Sequence, residues 1–190
     1  MNYFGSTIMR KLTVILVLVF VSYTGIGGCG GSNPEFAPFG SDVNILTDDI
    51  NISIPADTLV VRRVQAIVTR QDDFTGEEIP LNNVVVRWDL AFAGPNDIVI
   101  DTDGDSVPDA RGLQFVNPQG CGEQECSLVP ISQWFGLGAF VDSPFETLTD
   151  DRGIADVLIL ISGDSNVTDA TLEASTESGS VDSIDITLGQ

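Results

Sequence analysis

The sequence predicts an all-β sandwich from residue 42 to residue 190. Over that range no window longer than about 12 residues keeps the i, i+3, i+4, i+7 spacing of an amphipathic helix. Short stretches that alternate apolar and polar residues, or that are rich in β-branched residues, recur there instead. Turn signals containing Gly, Asn and Asp separate them. Seven or so short strands joined by polar turns indicate two packed sheets.

The charge of the chain excludes several classes of function. Its 190 residues include 8 Lys and Arg, 28 Asp and Glu and no His, so the formal net charge is −20. Binding to nucleic acid through phosphates, or to an anionic lipid surface by charge, needs clustered Lys and Arg, so we expect no nucleic-acid partner. The absence of His excludes His-dependent catalysis and His metal sites. A hydrophobic content of 43% still supports a core.

The first element of the chain is an export signal. Arg10 and Lys11 precede an apolar run over residues 12–21, which is short for a membrane span but suits the central region of a signal peptide. The segment then ends in Ile26-Gly27-Gly28-Cys29, which resembles the lipobox of bacterial lipoproteins.

That resemblance implies that residues 1–28 are a lipoprotein signal peptide and that Cys29 is the lipidated first residue of the mature chain, carrying palmitate among its acyl groups. Gly30 is not the Asp that commonly retains such proteins in the inner membrane, so we expect an outer-membrane lipoprotein of the cell envelope, held on the membrane by its lipid. A plain secretory signal with an incidental Cys and an uncleaved membrane anchor are the alternatives. Met1 and Met9 are both candidate start residues.

Residues 29–41 have the composition of a flexible tether, because Gly, Ser, Asn and Pro dominate them. Phe36 and Phe39 are unusual in a pure linker, which leaves open that they dock on the domain or that the tether is partly ordered.

Seven segments of the domain are predicted as strands. The alternation of Val84 to Phe92 is the clearest in the chain, and it makes Trp88 a predicted core anchor. Residues 154–161 are apolar on both faces, which predicts a central strand. The seven segments are residues 43–46, 50–54, 59–69, 84–92, 154–161, 172–176 and 184–188.

Three motifs resemble the bacterial Ig-like domains of the intimin and invasin kind. They are GEEIPLNNVVV at residues 76–86, TDDRGIADV at residues 149–157 and ATLEAS at residues 170–175. The resemblance implies an Ig-like β-sandwich over residues 42–190. In the second motif we expect the Asp carboxylate to accept backbone N–H bonds and Gly153 to take a positive φ. An insertion at about residues 97–145 is longer than the family usually carries, and the chain has one copy where the family usually has several.

The insertion contains a predicted calcium loop. Four aspartates occupy the first, third, fifth and ninth positions of a short segment: Asp101, Asp103, Asp105 and Asp109. Alternate residues of a tight loop converge, which brings carboxylate oxygens to one point. The loop resembles those of thrombospondin type 3 repeats. It departs from the EF-hand because Ser106 stands at the sixth position and Gly112 at the twelfth. We expect a structural Ca²⁺ ion, and the alternative is a solvated acidic turn.

Cys121 and Cys126 are the two cysteines left when Cys29 is lipidated. An exported compartment is oxidising, so we expect them to form a disulfide across a small loop. The spacing does not fit the C-x-x-C of redox enzymes, and two thiols without His make a poor metal site.

From the sequence we expect a non-catalytic, lipid-anchored protein of the cell envelope. Its Ig-like module would be stabilised by Ca²⁺ and a disulfide, and it would have a structural role or bind a protein or glycan. One alternative is an accessory subunit of an envelope or secretion assembly, paired through a sheet edge. The other is a carboxylate-dependent hydrolase, an interpretation that a cleft with a carboxylate against aromatic walls would favour.

Overall fold

The structure, a computed structural model, describes residues 36–101, 106, 110–118, 126–130 and 138–189. The described part contains fourteen strands and no helix. The strands are Ser41–Ile45 (β1), Ile50–Ser53 (β2), Thr58–Gln71 (β3), Glu78–Pro80 (β4), Val85–Phe92 (β5), Ile98–Ile100 (β6), Ala110–Arg111 (β7), Leu113–Pro118 (β8), Cys126–Pro130 (β9), Gly138–Val141 (β10), Phe145–Leu148 (β11), Ile154–Ser162 (β12), Asp169–Ser175 (β13) and Val181–Gly189 (β14).

The strands form two large sheets and one small hairpin. Sheet I has the order β1-β3-β12-β8-β10, with β4 and β9 also paired to the long strand β3. Sheet II has the order β11-β5-β13-β14-β2, and β6 pairs with β7. The paired strands run antiparallel except β2, which runs parallel to β14.

This pairing order identifies the domain as an Ig-like sandwich. The order β1-β3-β12-β8 matches the four-strand sheet of Ig domains, and β5-β13-β14 matches the facing sheet. Trp88 lies on β5, the strand that carries the buried Trp of Ig domains, and its side chain is fully buried. The predicted fold class is therefore confirmed.

Each of the seven predicted strands is present, with ends shifted by a few residues. Strand β12 lies between β3 and β8, which confirms its central position. The first strand begins at Ser41, and Ala37 packs against the core, while Phe39 is 98% exposed. Phe36 is 69% exposed, so neither of the two tether phenylalanines is buried.

The main core lies between the two sheets. Val64, Ala66 and Val68 of β3 face inward, as their alternation predicts. Opposite them, Trp88 satisfies its indole nitrogen, because Nε1 donates a 2.8 Å hydrogen bond to Thr147 Oγ1 on the edge strand β11.

A second apolar cluster covers the outer face of sheet I, and we call it the outer core. It consists of Leu59, Val61, Ile100, Ala110, Val116, Leu158 and Leu160. Leu158 and Leu160 belong to β12, so this cluster is the reason that β12 is apolar on both faces. Ile100, Ala110 and Val116 come from the insertion at 97–145, which is therefore more than an inserted loop region: its strands extend sheet I and cover that sheet.

Among the residues that the structure describes, none forms a helix of the length and apolar character needed to cross a membrane. The apolar run at 12–21 lies outside those residues.

Candidate functional site

The predicted calcium loop is attached to the domain at both ends. Ile98 pairs with Arg111 and Ile100 pairs with Ala110, so β6 and β7 close the loop formed by residues 101–109. Ile100 is fully buried and Ala110 is nearly so, both in the outer core. The base of the loop is therefore fixed to sheet I by apolar packing.

Of the four predicted calcium ligands, the structure describes Asp101. Its Oδ2 accepts a 2.8 Å hydrogen bond from the backbone N–H of Ser106. Ser106 has a φ of 69°, so it adopts the left-handed conformation of the Gly whose place it takes. Asp103, Asp105 and Asp109 lie outside the described residues, and within the described ranges no group of three or more His, Cys, Asp or Glu is placed to hold a metal. The Ca²⁺ site stays a prediction.

The cysteine predictions also stay open. Cys29 and Cys121 lie outside the described residues. Cys126 is the first residue of β9, and its backbone pairs with Val61 of β3. The expected disulfide would thus tie residue 121 to the start of a strand of sheet I.

The turn before β12 behaves as its motif predicts. The Asp150 Oδ1 atom accepts backbone hydrogen bonds of 2.9 Å from Arg152 and from Ile154, and Gly153 has a φ of 76°. The Ile154 N–H bond, followed by the bonds from Arg152 and the charge of its guanidinium, outweighs desolvation and holds the pKa of Asp150 below its ordinary value of 3.8.

A similar acid-capped turn joins β3 to β4. Asp72 Oδ1 accepts backbone hydrogen bonds of 2.8 Å from Phe74 and Thr75. These bonds, that of Thr75 foremost, hold the pKa of Asp72 below its ordinary value. Both turns are structural, because their carboxylates are occupied by backbone donors.

A cleft of about 640 Å³ opens between the sheets at the edge where β5 faces β8 and β10. We call it the edge cleft. Its lining combines apolar side chains with carboxylates, amides and one guanidinium. The lining residues are Asp89, Leu90, Phe92, Asn96, Arg111, Leu113, Gln114, Phe115, Val141, Asp142 and Ser143.

Internal hydrogen bonds fix one wall of the edge cleft. Asn96 Nδ2 donates to the carbonyl of Leu113 at 2.6 Å, and Leu113 N–H donates back to Asn96 Oδ1 at 3.3 Å. Arg111 Nη1 donates to the backbone oxygen of Asn96 at 2.6 Å. The buried Asn96 therefore joins the loop after β5 to the start of β8, and it orients the guanidinium.

The opposite wall is fixed by Ser143. Its Oγ donates to Asp89 Oδ1 and accepts a 3.0 Å hydrogen bond from the backbone N–H of Leu90. Asp89 is half-buried, and the neighbouring Asp142 is exposed. Two carboxylates thus stand at the mouth of the cleft, over a floor that includes the buried Leu113 and Phe115.

One polar atom of β8 lacks a partner among the described residues, and the strand register places its residue opposite Leu160, on the outer face of sheet I. Gln114 Nε2 is buried, and no group in the described part of the chain accepts a hydrogen bond from it. A buried donor without an acceptor is costly, so such an atom needs a functional or structural reason. Arg111 N–H approaches the other end of the amide, Oε1, at 3.4 Å.

No sequence motif predicts this cleft. Its lining comes from four separate segments, at residues 89–92, 96, 111–115 and 141–143, and no local motif unites them. The one usable signal was Arg111, a cation inside a strongly acidic insertion.

Comparison with known proteins adds little beyond the fold. No family model matches the chain, and no curated protein matches it. Among solved structures, the ASH / PapD-like domain of human CEP192 (PapD-like domain 7) is 12% identical, with 87% of this chain and 96% of that chain covered and a TM-score of 0.33. The strand order and the edge cleft of this chain define its class, which is an Ig-like β-sandwich with a polar cleft at one edge.

Proposed function

We propose that this chain is a non-catalytic, lipid-anchored protein of the cell envelope, placed at the outer membrane, whose Ig-like domain serves as a structural or binding module. The observation that carries the proposal is the order of its parts. A basic and apolar leader ends in the lipobox-like Ile26-Gly27-Gly28-Cys29, and a tether leads from there into a folded β-domain.

The packing of the domain supports a scaffold role. The main core is filled by side chains from both sheets, among them the fully buried Trp88, Phe115 and Leu172. The edge cleft offers space to a ligand beside that core.

Ca²⁺ and a disulfide are part of the proposal as stabilising elements of the insertion. The outer core fixes the base of the loop, and the bond from Ser106 already orients the Asp101 carboxylate. A cation would offset the repulsion among the loop carboxylates, and calcium is abundant outside the cytoplasm. Cys121 and Cys126 would be oxidised in the same compartment.

The anchor is tested by metabolic labelling with palmitate, followed by detergent extraction of membranes. We expect label in the wild type and in the control Cys126→Ser, and none in Cys29→Ser, which should leave the membrane fraction. An unlabelled wild type, or equal label in Cys29→Ser, would overturn the proposal.

The calcium site is tested by isothermal titration of the mature protein with CaCl₂. The wild type and a control, Asp73→Ala in the β3–β4 turn, should release heat with a saturable isotherm. Asp103→Ala and Asp105→Ala should weaken binding strongly, because each removes a ligand of a hard cation. No heat from the wild type would remove calcium from the proposal.

A carboxylate-dependent hydrolase is the second candidate, and the edge cleft is the observation that favours it. Asp89 and Asp142 line the same cleft as Phe92 and Phe115, an arrangement that glycoside hydrolysis also uses. The assay is release of reducing ends from neutral oligosaccharides by the wild type and by Asp142→Asn. Turnover that the variant loses would replace the non-catalytic proposal.

An accessory subunit of an envelope assembly is the third candidate. The four-residue strand β11 ends the order of sheet II and carries Leu148, whose side chain is 47% exposed. Such an edge suits addition of a partner strand. Mild cross-linking in membranes followed by co-purification should then recover a defined partner, and Leu148→Lys should lose it.

A further inference from the structure

We infer that the edge cleft is a binding site for a neutral saccharide. This inference specifies the ligand of the proposed binding module, and it depends neither on the lipid at Cys29 nor on Ca²⁺ in the loop. It rests on the size of the cleft, on its charges, on the hydrogen-bonding groups at its mouth and on its apolar floor.

The size of the edge cleft suits a small organic ligand. Its volume of about 640 Å³ lies well inside the range of about 300 to 1,000 Å³ that is typical of ligand pockets. Asn96 and Ser143 hold its two walls through hydrogen bonds within the protein. Because the walls are already fixed, binding would cost little ordering.

The charges of the edge cleft disfavour an anionic ligand. Asp89 and Asp142 stand at its mouth, and the chain as a whole carries a net charge of −20. The cation in the lining, Arg111, gives one of its N–H groups to the backbone oxygen of Asn96. A phosphate or carboxylate group of a ligand would be repelled by these two carboxylates, and its cationic partner in the lining would be Arg111, which already donates to Asn96.

A metal ion is also disfavoured there. No cluster of three or more suitable side chains is present in the described ranges, which include every residue that lines the cleft. Two carboxylates alone, one of them already bound by Ser143 Oγ, would leave most of the coordination shell of a hard cation to water.

The hydrogen-bonding groups call for a ligand that both donates and accepts. The carboxylates of Asp89 and Asp142 accept hydrogen bonds, whereas the guanidinium of Arg111 donates them. A hydroxyl group can donate to a carboxylate and accept from a guanidinium, and an ammonium group can only donate.

The apolar lining fits the remaining part of a sugar ring. Phe92 and Val141 are half-buried at the cleft, and beneath them lie the buried Leu113 and Phe115. A pyranose has an apolar C–H face as well as an equatorial rim of hydroxyls, so the same ligand uses both kinds of wall. Aromatic surface combined with a few placed polar groups is typical of small-molecule sites.

The test is titration of the purified full chain, in detergent, with maltohexaose, cellohexaose and chitohexaose as neutral probes, and with polygalacturonate and spermidine as anionic and cationic probes. We expect saturable binding of at least one neutral hexamer and none of polygalacturonate. Asp142→Ala should weaken the binding about tenfold or more, because it removes a charged acceptor. The control Asp73→Ala, an exposed carboxylate outside the cleft, should leave it unchanged.

Asp142→Asn separates a binding role from a structural one. Asp142 is exposed, so the change should leave the melting temperature unchanged, while saccharide binding falls because the charged acceptor is lost. The inference is overturned if no neutral hexamer binds, if spermidine binds more tightly than the hexamers, or if both variants bind like the wild type. Loss of palmitate label in the wild type would instead overturn the anchor alone.

Discussion

Asp150 and Gly153 show how single residues set the path of the chain between β11 and β12. The carboxylate gathers two backbone N–H groups, and the glycine turns the chain with a positive φ. Thr149 adds to this turn, because its Oγ1 accepts from Val84 N–H at 2.9 Å and donates to the carbonyl of Leu81 at 2.7 Å. The motif therefore ties the turn before β12 to residues 81–84.

The lowered pKa of Asp150 predicts a specific dependence of stability on pH. A carboxyl whose folded pKa is below its ordinary value of 3.8 stabilises the fold above that value, and the contribution is lost as the pH falls toward the folded pKa. Asp150→Ala should thus lower the melting temperature at neutral pH, and the gap to the wild type should narrow below about pH 4. Thermal unfolding followed by circular dichroism measures it.

The neighbouring Asp151→Ala is the matched control, because Asp151 is exposed and carries the same formal charge. Its melting temperature should stay close to that of the wild type at each pH. A gap for Asp150→Ala that is constant from neutral to acid pH would contradict the capping role.

Gly153 and Gly179 allow backbone strain to be separated from steric clash. Both have a positive φ, but a Cβ on Gly153 would lie 2.9 Å from Pro80 Cβ and 2.9 Å from the Val68 carbonyl oxygen, whereas one on Gly179 meets nothing within 4 Å. Gly179→Ala should cost about 1 kcal/mol from φ alone. Gly153→Ala should cost about 2 kcal/mol or more, because overpacking adds to the strain. Equal losses in urea unfolding would show that the surroundings of Gly153 relax.

At the scale of elements, alternation made the long strands predictable. Strand β5 buries residues 86, 88 and 90, and strand β14 buries residues 184, 186 and 188; such alternation is readable in one sequence. Strand β11 has four residues, and Gly112 alone separates β8 from the two-residue β7, so these strands offer only a weak periodic signal and are not among the seven predicted segments. The edge cleft was missed for the same reason, because β8 and β10 supply one of its walls.

The outer core predicts that the insertion has a stability of its own. Ile100 packs with Leu158 and Leu160 on the outer face of sheet I, away from the main core. Ile100→Ala should cost about 2–5 kcal/mol of local stability. Amide hydrogen exchange should then accelerate in β6, β7 and β8, while β13 and β14 keep their protection.

Ile186→Ala is the matched control for that experiment. Ile186 is also fully buried, but it belongs to the main core between the sheets. Truncation of the Ile186 side chain should speed amide hydrogen exchange in both sheets together. If Ile100→Ala does the same, the outer core unfolds with the whole domain and the insertion is not a separate unit.

At the scale of the whole molecule, repulsion among acidic groups is the dominant unfavourable electrostatic term. With 28 acidic and 8 basic residues, the native fold brings like charges together. The described surface shows few ion pairs to offset this; Arg63 with Asp156 at 3.5 Å and Arg152 with Asp150 at 3.0 Å are two of them. Exposed pairs of this kind contribute about 0–1 kcal/mol each, so screening by salt should matter more than they do.

Salt and calcium therefore have separable effects on stability. NaCl should raise the melting temperature gradually, because a Debye length of about 10 Å at 0.1 M screens repulsion between surface carboxylates. MgCl₂ at about 10 mM should act as NaCl of equal ionic strength does, since Mg²⁺ keeps its waters. CaCl₂ at the same concentration should add about 1–3 kcal/mol to the free energy of unfolding. That is the stabilisation expected when Ca²⁺ binds the native state alone with the affinity of extracellular calcium modules.

The increment from calcium should vanish in Asp103→Ala and persist in Asp73→Ala. The two variants remove the same charge, but only Asp103→Ala removes a proposed calcium ligand. If CaCl₂ and MgCl₂ stabilise the wild type equally, the loop is a solvated acidic turn and the ions act by screening.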